Sequence, residues 1–348
     1  MVATESEEKT PAILAKHRVQ VEDYLHKAVP PHSSDISTLL RYHLGWADER
    51  GNPAVSEQGK GLRASLCIFA CEAVGGRQEL ALSAAAAIEL VHNFSLIHDD
   101  IQDGDKERHH RPTVWAIWGT PKAIQAGNFM RILADLALHQ PPHSKVPSET
   151  LATCSKLLTT AYLRTVEGQY LDLEFEGRTD INTASYLDMI ARKTGALIQC
   201  SMQMGALLGN GHPKTVKAMS TCGKHLGAVF QIRDDYLGIW GLEEETGKAV
   251  GNDLRRRKNS LPLVHALDHA HGADREHLRS IYAKEQIEDT DVSYTLDLLA
   301  SLRTPEYLQN LAQDHASKAL KALVGIQLIP GANEELEELV EFLLTRQR

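Results

Sequence analysis

Positive charge is the first thing this 348-residue chain is short of: 37 Lys plus Arg stand against 46 Asp plus Glu, a formal −9. That balance argues against nucleic acid, which would call for a basic face. Paired cysteine is missing too. The five thiols (Cys67, Cys71, Cys154, Cys200, Cys222) are odd in number, hold no CxxC pair and sit among apolar residues. They read as reduced, buried thiols of a cytoplasmic protein rather than a disulfide framework. Cys67 and Cys71 share a helix face, where core packing is the adopted reading and a redox or partner contact the alternative.

Residues 1–10 are polar and acidic and are expected to be flexible, without the basic start and apolar run of a secretory signal. No membrane span is expected, because the most apolar segment, 80–97, is interrupted by Glu89, His92 and Asn93. Sustained alternation of β-branched residues is absent, as are a Walker A loop and a GxGxxG turn. Nothing resembling a linker divides the chain, so residues 1–348 are read as one all-α domain.

What the chain has is helical periodicity and two acidic clusters. Helices are predicted over 12–29, 35–46, 62–74, 79–103, 121–139, 149–176, 184–208 and 213–240, with shorter ones to the end. One of these starts at Thr304-Pro305-Glu306, with a cap, an N1 proline and an acidic first turn. Loops are expected over 47–61, 104–112 and 241–258. The first cluster, Asp99-Asp100-x-x-Asp103, closes the alanine-rich helix. Asp99 and Asp103 fall one turn apart on one face, where two carboxylates repel unless a cation lies between them. Oxygen donors in this number suit magnesium, which completes its shell with water and phosphates. The second cluster, Asp234-Asp235, also follows an apolar stretch, and the pair is read as two rims facing one cavity.

Cations are placed to answer these rims. Lys60 and Arg63 flank a loop-to-helix start, where amide groups also favour an anion. Arg108 and Arg111 follow the first cluster, Lys193-Thr194 is expected in mid-helix, and Lys248 and Lys258 follow the second cluster. Carboxylates, scattered cations and a greasy helical interior together suggest a substrate with a diphosphate head and an apolar tail. The histidines His265, His269, His271 and His277 include an i,i+4 pair, but with no nearby cysteine or fourth ligand they read as an exposed polar helix end rather than a zinc site.

These motifs, in this order, resemble the trans-polyprenyl diphosphate synthases. The resemblance rests on Gly59-Lys60-x-x-Arg63, Glu89-Leu90-Val91-His92, Ser95-Leu96-Ile97-His98-Asp99-Asp100-x-x-Asp103, Arg108 with Pro112-Thr113, Gly168-Gln169-x-x-Asp172, Lys193-Thr194, Phe230-Gln231-x-x-Asp234-Asp235 and Thr246-Gly247-Lys248. It implies an isoprenoid synthase fold of antiparallel helices around a cavity, a homodimer, and three magnesium ions, two held by Asp99 and Asp103 and one by Asp234. Asp100 and Asp235 would support the rims. Arg108, Lys193, Thr194, Gln231, Lys248 and Lys258 would hold the diphosphate of an allylic substrate, and Lys60, Arg63 and His92 that of isopentenyl diphosphate.

The chain departs from the family pattern at three places. His109 stands where a second arginine is usual, so either Arg111 substitutes or isopentenyl binding becomes pH-sensitive. Gly238 stands where the second motif has its third carboxylate, and Asn128 where an aspartate is frequent. Phe94 lies five residues, about 7.5 Å of helix, before Asp99 and would act as a floor for the growing tail, implying a C20 or C15 product. Two rival readings remain open: a class I terpene cyclase, and a non-catalytic subunit of a heteromeric synthase, since Cys67-x-x-x-Cys71 resembles a subunit-contact motif.

Overall fold

The computed structural model describes residues 10–29, 35–54, 61–140, 146–241 and 251–347. The all-α expectation holds. In chain order the helices are α1 (Ala12–Ala15), α2 (Arg18–Ala28), α3 (Asp35–His43), α4 (Leu62–Ala73), α5 (Leu82–Gln102), α6 (Val114–Trp118), α7 (Thr120–Leu138), α8 (Ser148–Phe175), α9 (Thr183–Lys193), α10 (Gly195–Leu208) and α11 (Pro213–Trp240). Asn252–Arg255, Leu261–His269, Gly272–Tyr282, Asp289–Ser301, Thr304–Lys321 and Ala332–Thr345 follow. The expected flexibility of 1–10 falls, but for Thr10, outside the described residues, as do Lys60 and Lys248.

α5 runs through the larger apolar core because most of its first half is apolar. Ala84, Ala85, Ala86, Ala87, Ile88, Leu90 and Val91 are all fully buried, the pattern of a helix surrounded by others. It packs on α4 and α7, while α10 packs on α4, α8 and α11. Small side chains let these helices approach closely, and each large apolar residue so enclosed contributes about 1.5–3 kcal/mol. A second core joins α4, α10 and α11 to the C-terminal helices.

Three sequence expectations need correction. The helix predicted over 184–208 is broken at Thr194, which leaves Lys193 at the C-terminus of α9 rather than in mid-helix. A close crossing lies beside the break: a Cβ on Gly168 of α8 would lie 2.6 Å from the Lys193 Cα. The apolar period runs across the break, so periodicity alone cannot find it. The loop after α5 also contains a two-stranded hairpin, Glu107–Arg108 against Arg111–Pro112. Its turn residues His109 and His110 have φ of 50° and 58°, the left-handed pair that a two-residue hairpin demands. In the third predicted detail, Thr304 is the first helical residue and the cap position is Arg303, in the left-handed region.

Candidate active site

The first acidic rim is the C-terminal turn of α5. Asp103 closes the helix, its N–H donating to the Asp99 carbonyl at 2.8 Å. Desolvation lifts the Asp99 carboxyl to about 6, with Lys193 opposing and Asp103 adding to the rise. Asp103 is raised by the same desolvation, against the pull of Lys193. Across from them Lys193 donates from Nζ to Asp172 Oδ2 at 2.5 Å. Burial would lower the lysine, but Asp172 and Asp99 outweigh it, and it stays fully charged. Lys258 is placed similarly, raised against desolvation by Asp253, Asp172, Asp235 and Asp103. This lysine therefore feels carboxylates of both rims. Arg256 also reaches across to the Asp105 carboxylate, tying the segment after α11 to the loop after α5.

The second rim divides its two aspartates between different tasks. Asp235 is buried and receives three donors: Tyr186 Oη at 2.7 Å, Gln231 Nε2 at 2.9 Å and the Leu261 N–H at 3.2 Å. Burial nevertheless pushes it up to about 7. Gln231 is oriented in turn by the Thr194 hydroxyl, which donates to its Oε1 at 2.7 Å. Asp234 is 39% exposed and is engaged by Arg346 from the C-terminal end. Arg346 also donates to the Phe230 carbonyl at 3.1 Å and lies 4.4 Å over the Phe230 ring.

A third group gathers beside the α4 N-terminus. Arg63 Nη1 donates to His92 Nε2 at 3.1 Å, and the Ala64 N–H donates to Glu89 Oε1 at 3.1 Å. Burial, then the charges of Arg63 and Arg108, hold His92 well below its ordinary value, so it is the neutral acceptor. Arg108 donates to Asp100, while Arg111 stacks 4.1 Å from the Tyr42 ring and donates to the Tyr42 and Ala47 carbonyls. These contacts direct Arg111 towards α3. His109 is exposed at the hairpin tip, Asn128 is exposed on α7, and Phe94 is buried in the core behind Asp99.

The structure thus assembles Asp99, Asp103, Lys193 and Lys258 around a shared field, and links Thr194, Gln231 and Asp235 in a chain. It adds Asp172 and Arg346, which sequence reasoning did not assign. Asp172 could have been suspected from its place in the Gly168-Gln169-x-x-Asp172 motif; Arg346, over a hundred residues from its partner, offered no local signal. Among the described residues no three of His, Cys, Asp and Glu are close enough to hold an ion unaided. The donors still fit magnesium, which takes one or two carboxylates and leaves its other positions to water and phosphate.

Of the four histidines, His269, His271 and His277 are exposed as expected, and only His265 needs correction. His265 is 4% exposed, hydrogen-bonded to Thr304 Oγ1 at 3.0 Å and stacked on His269 and Tyr307. It belongs to the helix packing rather than to a solvated end.

A family model described as polyprenyl synthetase matches residues 46–299. The chain belongs to this family. Its curated relatives include a (2E,6E)-farnesyl diphosphate synthase of Mycobacterium tuberculosis, 37% identical over 89% of this chain and 86% of the relative. A geranylgeranyl diphosphate synthase of the same species is 36% identical over 90% and 88%. Among solved structures, a polyprenyl synthetase from Streptomyces coelicolor superposes with a TM-score of 0.89 at 34% identity, covering 96% of this chain and 99% of that one. A polyprenyl synthase from Caulobacter crescentus, complexed with calcium and isoprenyl diphosphate, superposes with 0.83 at 25% identity, over 98% and 99%. Short-chain trans-polyprenyl diphosphate synthases are therefore this chain's family, its fold is the isoprenoid synthase fold, and it is a prenyl-transferring enzyme. No helix among the described residues is long and apolar enough to cross a membrane.

Proposed function

We propose that this polyprenyl synthetase, acting as one domain, condenses isopentenyl diphosphate with an allylic diphosphate, and that its product is geranylgeranyl diphosphate in preference to farnesyl diphosphate. The observation that carries the reading is the Lys193–Asp172 pair beside Asp99, together with Lys258 facing carboxylates of both rims. That arrangement of fixed positive charge among hard oxygen donors suits a departing pyrophosphate.

Asp99 and Asp103 would hold two magnesium ions and Asp234 a third, once it exchanges Arg346 for the ion. When bound, the ions supply Lewis-acid charge to the leaving diphosphate. Lys193, Lys258 and Lys248 neutralise the pyrophosphate as the allylic C–O bond breaks, with Thr194 and Gln231 orienting the same wall. Arg63 and neutral His92, with Lys60, hold isopentenyl diphosphate so that its double bond attacks the allylic cation. Loss of a proton to pyrophosphate completes the condensation, and no protein nucleophile takes part.

A cyclase has no use for the Arg63–His92 pair. The subunit reading loses its surface, since Cys67 and Cys71 are fully buried. A homodimer is supported by apolar side chains left exposed on α7 (Ile124, Ile132, Leu136) and α8 (Leu163, Val166, Tyr170). The five buried free thiols accord with a cytoplasmic protein. The test is incubation of the purified protein with magnesium, isopentenyl diphosphate and each allylic starter, followed by sizing of the products. Hydrocarbon from a single allylic substrate, or no incorporation at all, would defeat the reading.

A further inference from the structure

The two rims differ in how they supply carboxylates. On α5, Asp99 and Asp103 stand four residues apart on one face; on α11 the residue four beyond Asp234 is Gly238. A glycine inside a helix is less favourable than alanine, so its presence calls for a use. The use is visible in the packing. A Cβ built on Gly238 would fall on Oδ2 of Asp253, 2.7 Å from its Cγ and 3.2 Å from Oδ1.

Asp253 belongs to the short helix Asn252–Arg255, which packs on α11. Its position is fixed from both sides. The Gly251 N–H donates to the Ile239 carbonyl at 3.0 Å, and the Lys258 N–H donates to the Asp253 carbonyl at 3.0 Å. The Asp253 carboxylate thus occupies the space a side chain at 238 would fill, one helical turn past Asp234. Residues four apart on a helix have Cβ atoms about 5–6 Å from one another, a gap that one hydrated divalent ion can span.

We infer that Asp253 is the second carboxylate of the second rim, delivered from the neighbouring segment because Gly238 leaves room for it, and that it shares with Asp234 the task of holding a divalent ion. The inference rests on the prenyl-transfer reading above only for the identity of the substrate. A simple ion-pair role beside Lys258 would need a carboxylate near that lysine but would not need an empty side-chain position on α11.

The experiment compares wild type with Asp253→Asn, Asp253→Ala, Gly238→Asp and the double variant Gly238→Asp/Asp253→Ala. Two quantities are read: the rise in Tm that magnesium produces in the presence of inorganic pyrophosphate, and the magnesium concentration for half-maximal turnover. Asp253→Asn and Asp253→Ala are expected to lose most of the rise in Tm and to need about tenfold more magnesium, the lower end of losses seen when metal-supporting groups are removed. Gly238→Asp alone is expected to lower the metal-free Tm, because two side chains then compete for one space. The double variant is expected to recover the wild-type magnesium response. Wild-type behaviour of Asp253→Asn, or a double variant no better than Asp253→Ala, would overturn the inference. The metal-free Tm of each variant separates a folding defect from a metal defect. Should the wild type make no prenyl product, the reaction assignment fails, yet the pyrophosphate-dependent Tm still judges Asp253.

Discussion

Arg108 grips Asp100 with two nitrogens, Nε at 2.8 Å and Nη2 at 2.7 Å from the same Oδ1. Asp100 is 2% exposed, so the middle carboxylate of the first motif is committed to anchoring the hairpin arginine rather than to facing an ion. Breaking such a pair strands a charge in a poorly solvated place, which costs about 3 kcal/mol when one partner remains partly exposed, as Arg108 does. Asp100→Ala is therefore expected to lose about that much stability in urea unfolding, and to release Arg108 from its place near His92. A change within 0.5 kcal/mol, roughly that of an ordinary surface substitution, would show the pair to be incidental.

The contact between Asp234 and Arg346 makes an opposite demand. One aspartate cannot give its best oxygen to a guanidinium and to a divalent ion at once, so Arg346 competes with metal. Arg346→Ala is expected to lower the metal-free Tm, since it removes the buried contacts to Phe230 as well. The same variant should bind magnesium more tightly in calorimetry with pyrophosphate present. Weaker binding would mean that Arg346 grips the diphosphate itself.

Acid should weaken the fold through His43. Burial, then the charge of Arg108, pushes this imidazole down to about 3, while its bond to Asn93 works against the fall. Above pH 6.5 neither folded nor unfolded chain carries the proton, and the group contributes nothing to the pH dependence. Between about 6.5 and 3 the unfolded chain takes up a proton that the native state refuses, so stability falls as pH drops. At pH 5 this amounts to at most about 2 kcal/mol, at 1.36 kcal/mol per unit of the gap. His43→Gln should show a smaller Tm loss than wild type between pH 7 and pH 5. Equal losses would place the acid sensitivity in other groups, such as His92.

Local pattern exposed most of the helices because burial on one face leaves a 3.6-residue trace; the prediction over 213–240 coincides with α11. It drew attention to the two acidic clusters because carboxylates one turn apart on a helix repel unless positive charge lies between them. It did not reveal the break at Thr194, where α8 crosses closely at Gly168, or the hairpin, whose turn is built from two histidines rather than Asn-Gly. Gly238 reads as a lost ligand in the sequence, whereas in the structure the space beside it holds Asp253. Arg346 and Asp253 reach the site through tertiary packing, and tertiary packing is the part of the fold that spacing along a chain does not encode.

Phe94 makes the product-length argument testable. Its ring is 5% exposed and meets His98 and Tyr162 edge-on, at centroid distances of 4.9 and 5.2 Å. The Phe94 ring thus packs between two others, and the Arg131 guanidinium lies 5.0 Å from the Tyr162 ring. Removing the Phe94 ring opens space beside the Tyr162 ring, which it meets edge-on. Phe94→Ala should therefore lengthen the main product, and Phe94→Ala/Tyr162→Ala should lengthen it further. The single change is expected to cost about 3–4 kcal/mol of stability, as phenylalanine deletions from a packed core do. Phe94→Leu, which fills most of the space, should cost less and shift the product less. Sizing the prenyl alcohols released by phosphatase treatment decides the matter: an unchanged chain length in both alanine variants would assign Phe94 to the core alone.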